Sequence, residues 1–218
     1  MTGWDWDTRN RTLFADRGFR QNISLSVTSP GSDVRYWIGN YQYIRYLPLW
    51  HGWTLSFLEG LDYGSPLGST TSIPPYRRFF GGGPDNVRGF REARLGPADQ
   101  FGNPYGGNMR ITSQNELIFP MPAKYAQTAR VSLFYDMGGV YQTGSKVQFY
   151  GPDGVSPESY SFHSEGLKRS VGVAVQWLAP LGLFRFSLGV PLNAVSGNGV
   201  TTWGDQREVF QFSVGNAF

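Results

Sequence analysis

The stretch Ser170-Val171-Gly172-Val173-Ala174-Val175-Gln176-Trp177-Leu178 carries a large apolar side chain at every odd position from 171 to 177, with small or polar residues at most positions between them. Successive side chains of a β-strand point to opposite faces, so this period of two indicates a strand with one apolar face. A strand that crosses a bilayer within a barrel needs about 9 to 11 residues of this pattern. The stretch therefore predicts a membrane-crossing strand.

The same alternation recurs along the chain, and turn residues such as Pro30-Gly31-Ser32-Asp33 separate the segments. Short links alternate with longer ones, as in barrels whose two rims differ. We expect one all-β domain over residues 1–218, an antiparallel transmembrane β-barrel with about eight strands in this chain. The predicted strands lie near residues 20–28, 34–47, 53–63, 110–119, 129–141, 170–178, 183–191 and 207–218, and residues 3–8 resemble the remnant of a ninth.

Composition favours a membrane barrel over a soluble β-sandwich, whose strands also alternate. Aromatic residues make up 16% of the chain, as do charged residues, and Tyr and Trp lie near predicted strand ends, as in interfacial girdles. No apolar run is long enough for a membrane-spanning helix, which excludes a helical membrane protein.

Glu59 interrupts the alternation of its predicted strand, because this charged residue shares the parity of the apolar residues Leu55, Phe57 and Leu61. Either it lies outside the hydrocarbon band or the strand faces the other way.

Charge and residue usage exclude several classes of site. The net charge of +3 comes almost wholly from arginine, and five arginines lie within residues 77–94, so the charge marks a loop and no nucleic-acid partner is expected. The chain contains no cysteine, which removes disulfides and thiolate metal sites. Residues 1–5 lack a basic segment followed by an apolar core, so we expect no signal peptide in this chain and, if the protein is exported, a truncated or engineered fragment.

A long segment, residues 64–109, is rich in Gly, Pro and Arg and has no sustained period. Loops of this length are usually functional. The segment contains Arg78-Phe79-Phe80-Gly81-Gly82-Gly83 and, shortly after it, Val87-Arg88-Gly89-Phe90. The glycines allow the loop to turn back on itself and allow a close approach of its backbone to a neighbour.

Two carboxylates, Glu116 and Asp136, lie on the polar parity of their predicted strands. Both are therefore expected to point into the lumen, where a guanidinium can bind them with its fixed fork geometry. Arg88 is the natural partner. The alternative is that Arg88 is a solvated loop arginine like its neighbours.

These motifs resemble those of the BamA family of outer-membrane protein assembly factors. The resemblance implies a bacterial outer-membrane barrel that inserts other barrel proteins without catalysis, and it makes this chain the C-terminal half of a sixteen-stranded barrel. For the parent protein it implies outer-membrane lipids, unfolded outer-membrane proteins and assembly-complex subunits as partners. The matching stretches are residues 16–19, 87–90, 115–117, 134–138, 176–182 and 210–215.

The resemblance also implies roles for individual residues. The tetrapeptide Val87-Arg88-Gly89-Phe90 would hold the loop inside the barrel through Glu116 and Asp136. Gly215 would let the last strand bend at a lateral gate, and Phe218 would be the terminal aromatic residue that the assembly machinery recognises by adding a strand to a sheet edge. Taken without the resemblance, Gly215 is equally well explained as a small lipid-facing or lumen-facing residue.

Other functions remain open. A two-partner secretion translocator shares the Arg-Gly-Phe/Tyr loop, and a small stand-alone barrel could be a pore, a lipase or a protease. We do not expect an enzyme, since His51 and His163 lie in a turn and a loop without a Ser-Asp pattern that would complete a triad. No metal site and no cofactor are expected.

The two edges of an eight-stranded sheet must also be accounted for. Unpaired backbone groups in lipid cost several kcal/mol each, so an open sheet is not expected to persist. Closure could be intermolecular, in a homodimer that rebuilds sixteen strands, or intramolecular, with residues 20–27 pairing with residues 209–218. We expect self-closure, because it needs no partner, although it would force Arg88 out of the lumen, an eight-stranded barrel being filled by its own side chains.

Overall fold

The computed structural model describes residues 1–144 and 147–215. Three short 3-10 turns lie at Trp50–Gly52, Pro75–Arg77 and Ser164–Gly166, and no helix of the described residues could span a membrane. The strands are β1 (Thr2–Asp7), β2 (Gly18–Val27), β3 (Tyr36–Pro48), β4 (Thr54–Pro66), β5 (Gly89–Phe90), β6 (Met109–Ile118), β7 (Ala129–Tyr141), β8 (Phe149–Tyr150), β9 (Pro157–Glu158), β10 (Lys168–Ala179), β11 (Gly182–Pro191), β12 (Arg207–Glu208) and β13 (Phe210–Gly215).

Nine of these strands form one antiparallel sheet in the order β1-β2-β3-β4-β6-β7-β10-β11-β13. Each strand of this sheet pairs with the sheet strands that come before and after it in the sequence. This order confirms the predicted all-β antiparallel architecture. Among the described residues, β1 pairs only with β2 and β13 only with β11, so the sheet is open at both edges. The short strands form two separate pairs, β5 with β12 and β8 with β9.

The number of strands and the last strand differ from the prediction. Residues 2–7 form a complete strand that pairs with β2 through six residues, so the sheet has nine strands rather than eight. The predicted strand 207–218 is divided. Arg207 and Glu208 leave the sheet and pair with β5 of the long loop, and only Phe210–Gly215 pairs with β11. Residues 216–218 lie outside the described residues.

Side-chain parity separates an apolar outer face from a polar inner face. On β10, Val171, Val173 and Val175 point outward and are exposed, whereas Ser170 on the other parity is completely buried. On β4 the apolar parity also points outward and carries Glu59, whose Oε1 accepts a hydrogen bond from Ser113 Oγ at 3.0 Å on the neighbouring strand. The predicted orientation of β4 therefore holds, and Glu59 belongs to the outer face.

The expected self-closure is wrong. Residues 20–27 belong to β2, and both edges of β2 are occupied, one by β1 and the other by β3. No edge of that strand is left to receive residues 209–218. Nor is Arg88 forced out of the lumen, because the sheet remains open and leaves room for the long loop on its inner face.

Candidate functional site

The long loop between β4 and β6 folds back onto the inner face of the sheet. Gly82 and Gly83 have φ values of +85° and +90°, a left-handed conformation that other residues rarely adopt, and they reverse the chain direction. Gly83 N then donates a hydrogen bond to Phe90 O at 2.9 Å. Val87, Phe90 and Leu95 are buried together in a small apolar cluster. The loop thus has a core of its own, which fixes the course of residues 82–95.

Arg88 joins this loop to the wall of the sheet. Its Nε and Nη2 donate hydrogen bonds to the two oxygens of Asp136, both at 2.7 Å, and its backbone N donates to Asp136 Oδ2 at 3.0 Å. Nη1 donates to Glu116 Oε1 at 2.5 Å, and Ser132 Oγ donates to Glu116 Oε2 at 3.0 Å. The predicted partners of Arg88 are therefore brought together, in a bidentate geometry on β7 with a second carboxylate on β6.

The electrostatics of this network keep Arg88 charged. Burial by itself would lower the pKa of Arg88, but the hydrogen bonds and negative charge of Asp136, helped by Glu116, outweigh burial and raise the pKa above its ordinary value. The guanidinium also lies over the Phe134 ring, 3.7 Å from its centroid, where the face of the ring attracts a cation. Two carboxylates, one arginine and one ring thus form a compact buried cluster.

Small residues on the wall let the loop backbone come this close. Gly89 has φ +85°, and a Cβ on Gly189 would come within 2.8 Å of the Gly89 nitrogen. A Cβ on Gly138 would come within 2.9 Å of Val87 Cγ2. A Cβ on Gly172 would likewise collide with the Phe134 ring. A side chain at Gly138 or Gly189 would push the loop away from the sheet, and one at Gly172 would displace the Phe134 ring on which Arg88 lies, so the glycines are part of the site.

Sequence reasoning missed Gly172, Gly189 and Gln211. Gln211, on the inner face of β13, is buried and binds the loop backbone at Gly89 and Phe90. A signal was present in the sequence. On the lumen-facing parity, Ser, Gly and Ala occupy neighbouring positions 170, 172 and 174 of β10 and 187 and 189 of β11, and such a patch of small residues indicates that something packs on it.

Two residues near the end of the chain, Gly215 and Phe218, were predicted to have a role, and only Gly215 is among the described residues. Gly215 pairs with Leu183 in the last described pair of β13, and a Cβ there would come within 3.1 Å of Arg185 Nη2. The bend at Gly215 stays a prediction. Phe218 lies outside the described residues. No group of side chains among residues 1–144 and 147–215 could hold a metal ion.

Comparisons with known proteins identify the family of the chain. A family model described as the Omp85 superfamily domain matches residues 1–218. The chain belongs to the Omp85 superfamily. It is 33% identical, over 99% of its length, to the outer membrane protein assembly factor BamA of Neisseria meningitidis serogroup B. It is 28% identical, over 67% of its length, to the BamA of Nitratidesulfovibrio vulgaris.

A solved structure also resembles this Omp85 chain. The crystal structure of Haemophilus ducreyi BamA lacking POTRA domains 1–3 matches 96% of the chain with a TM-score of 0.81 and 30% sequence identity. The predicted resemblance to the BamA family is thereby confirmed. The chain spans 28% and 16% of the lengths of the two curated relatives and 40% of the solved chain.

Proposed function

We propose that this chain forms part of the barrel domain of a bacterial outer-membrane protein assembly factor. The observation that carries the proposal is the Arg88 network, which holds a long loop against the inner face of a membrane sheet through Asp136 and Glu116. The named relatives support it, since both curated relatives are outer membrane protein assembly factors. We place the chain in the outer membrane, with lipid against its apolar outer face.

The proposed activity is non-enzymatic insertion of other barrel proteins. An edge strand presents a row of unpaired backbone N–H and C=O groups that can pair with an incoming strand. Among the described residues, β1 and β13 present such edges. In a bilayer these edges must pair with further strands of the same protein, with a second copy in a homodimer, or with an unfolded client protein. Assembly-complex subunits would deliver the client to the parent protein.

Reconstitution tests this proposal. The full-length protein containing this chain would be placed in phospholipid vesicles with a urea-unfolded outer-membrane protein, and client folding would be followed by heat-modifiable gel mobility. We expect faster client folding than in empty vesicles. We expect Arg88→Ala to lower the rate and Arg94→Ala, in the same loop, to leave it unchanged, because within the described part of the chain the Arg94 side chain donates only to the Gly102 backbone oxygen.

Other outcomes would identify other members of the superfamily or other classes. Transport of a soluble client into the vesicle without folding of barrels would indicate a secretion translocator. Release of an entrapped dye without any effect on client folding would indicate a simple pore. Either result would overturn the assembly proposal.

A further inference from the structure

Gln211 binds the long loop as a neighbouring strand would. The residue lies on the inner face of β13 and is 4% exposed. Its Oε1 accepts a hydrogen bond from Gly89 N at 3.2 Å, and its Nε2 donates to Phe90 O at 2.7 Å. A side-chain amide has the same donor and acceptor as a peptide group, so Gln211 satisfies two buried backbone groups of β5.

The backbone leading into β13 is joined to the same part of the loop. Arg207 pairs with Phe90, and Glu208 pairs with Gly89, in the small sheet of β5 and β12. The pairing continues beyond it, since Arg91 N donates to Gln206 O at 2.9 Å. Residues 206–208, which precede β13, therefore pair with the loop on the lumen side, whereas β13 itself pairs along one edge with β11.

A third contact joins the loop to the hairpin of β11 and β13. Arg185, on the inner face of β11, donates from Nη1 to Asp85 Oδ1 at 2.8 Å. The guanidinium lies where a side chain at position 215 would project, because a Cβ on Gly215 would come within 3.1 Å of Arg185 Nη2. Gly215 thus leaves space for an arginine that reaches the loop.

Between the contacts of Arg88 and those of Gln211, the loop passes over β10 and β11, and Arg185 of β11 binds it through Asp85. Arg88 binds carboxylates on β6 and β7, and the next two residues bind Gln211 on β13. The strands between them, β10 and β11, carry small inward residues where the loop passes. These are Ser170, Gly172, Ala174, Ser187 and Gly189. The loop therefore forms a bridge from the middle of the sheet to its edge.

We propose that Gln211 is a positioning residue that clamps the edge strand β13 to the loop, so that the two open as one unit. Separation of β13 from β11 then requires release of Gly89 and Phe90, and loss of the Arg88 network loosens β13. This inference rests on the proposed function, because the purpose of the clamp would be to let the loop release β13 for pairing with a client strand. The coupling itself can be measured without any client.

Hydrogen exchange of the full-length protein in detergent micelles tests the clamp. Gln211→Leu keeps a similar volume and removes both hydrogen bonds to the loop, together with the longer one from Nε2 to Glu208 Oε2 at 3.4 Å. We expect exchange to accelerate about tenfold in residues 210–215 and equally in residues 87–91, with β3 and β4 unchanged, because local opening exposes amides that share one cooperative unit. Ser213→Ala is the matched control. Ser213 lies on the same face of β13, and its hydroxyl has no hydrogen-bond partner among the described residues.

The reciprocal variant separates a clamp from a merely structural contact. The hydrogen bonds that Arg88 donates among the described residues go to Asp136 and Glu116 and not to β13, yet coupling is reciprocal, so Arg88→Ala should accelerate exchange in residues 210–215 as well. Acceleration confined to residues 210–215 in Gln211→Leu, or unchanged protection of β13 in Arg88→Ala, would overturn the proposal. If Gln211→Leu does not fold, Gln211→Asn keeps an uncharged amide on a shorter side chain and should give a smaller acceleration in both segments. A failed client-folding assay beside a coupled exchange pattern would reject only the proposed function.

Discussion

Two arginines bind carboxylates on the inner face of the sheet, but they stabilise different kinds of contact. Arg88 binds Asp136 and Arg110 binds Asp62, and in both pairs the partners lie 48 positions apart in the chain. Arg110 and Asp62 are already opposite each other in the backbone ladder of β6 and β4. Arg88 has no ladder to β7. One pair therefore reinforces a contact that the backbone makes, and the other creates a contact that the backbone does not make.

Burial and alternative partners sharpen the contrast. The side chains of Arg88 and Asp136 are 6% and 0% exposed, whereas those of Arg110 and Asp62 are 30% and 12% exposed. Asp62 also accepts a hydrogen bond from Asn40 Nδ2 at 2.5 Å. Among the described residues, Asp136 accepts three hydrogen bonds, and all of them come from Arg88. When a buried carboxylate receives its hydrogen bonds from one residue, removal of that residue lowers the free energy of unfolding much more than it does for a carboxylate with a second donor.

The largest effect is expected for Arg88→Ala. It strands Asp136 as a buried, unpaired carboxylate, which costs about 3–5 kcal/mol of unfolding free energy. Arg91→Ala and Arg94→Ala should cost about 1 kcal/mol or less, because in residues 1–144 and 147–215 their side chains form no ion pair with a carboxylate and donate hydrogen bonds to Gln206 and to the Gly102 backbone oxygen. The measurement is the temperature midpoint of heat-modifiable gel mobility. Equal midpoints for the three variants would show that Arg88 does not hold the loop.

Double-mutant cycles give the next largest difference. The coupling energy of Arg88 with Asp136 should lie near the top of the roughly 0.5–3 kcal/mol range for residues in one network, and that of Arg110 with Asp62 near the bottom. The physical reason is that removal of both Arg88 and Asp136 relieves the unpaired charge left by either single change. The cycles use Arg88→Ala with Asp136→Ala and Arg110→Ala with Asp62→Ala, each measured as denaturant midpoints. Similar couplings for the two pairs would remove the contrast.

Parity and the loop motif made the Arg88 site predictable. Glu116 and Asp136 alternate with outward residues on clear strands, so their direction follows from the period of two. Arg88 could be assigned to them because the loop glycines permit a close approach. The number of strands was harder to predict from the sequence, because β1 is short and exposed along its whole length. Its pairing with β2 is visible only in the register of the structure.

The contacts at the edge could not be read from the sequence. Residues 207–208 adjoin the alternating residues of the last strand, although Glu208 falls on the apolar parity, and they pair with the loop because β5 lies beside them in space. Gln211 looks like any inward polar residue of a barrel strand. Its role depends on the course of a loop about 120 residues earlier in the chain, and no local pattern specifies that course.

Of the two arginine–carboxylate pairs, the smaller effect is expected for Arg110→Ala, at about 1 kcal/mol. The variant loses the contacts of Arg110 with Asp62 and with Phe80 O, but Asp62 keeps Asn40 as a donor and the ladder between β4 and β6 remains. Asn40→Leu alone should be equally mild, because Arg110 still pairs with Asp62. The two changes together should cost more than the sum of the single changes, since only then does Asp62 lose both donors. Midpoints of heat-modifiable mobility give all three values. An additive double variant would mean that Asp62 does not need either donor, and the contrast with Asp136 would then rest on burial alone.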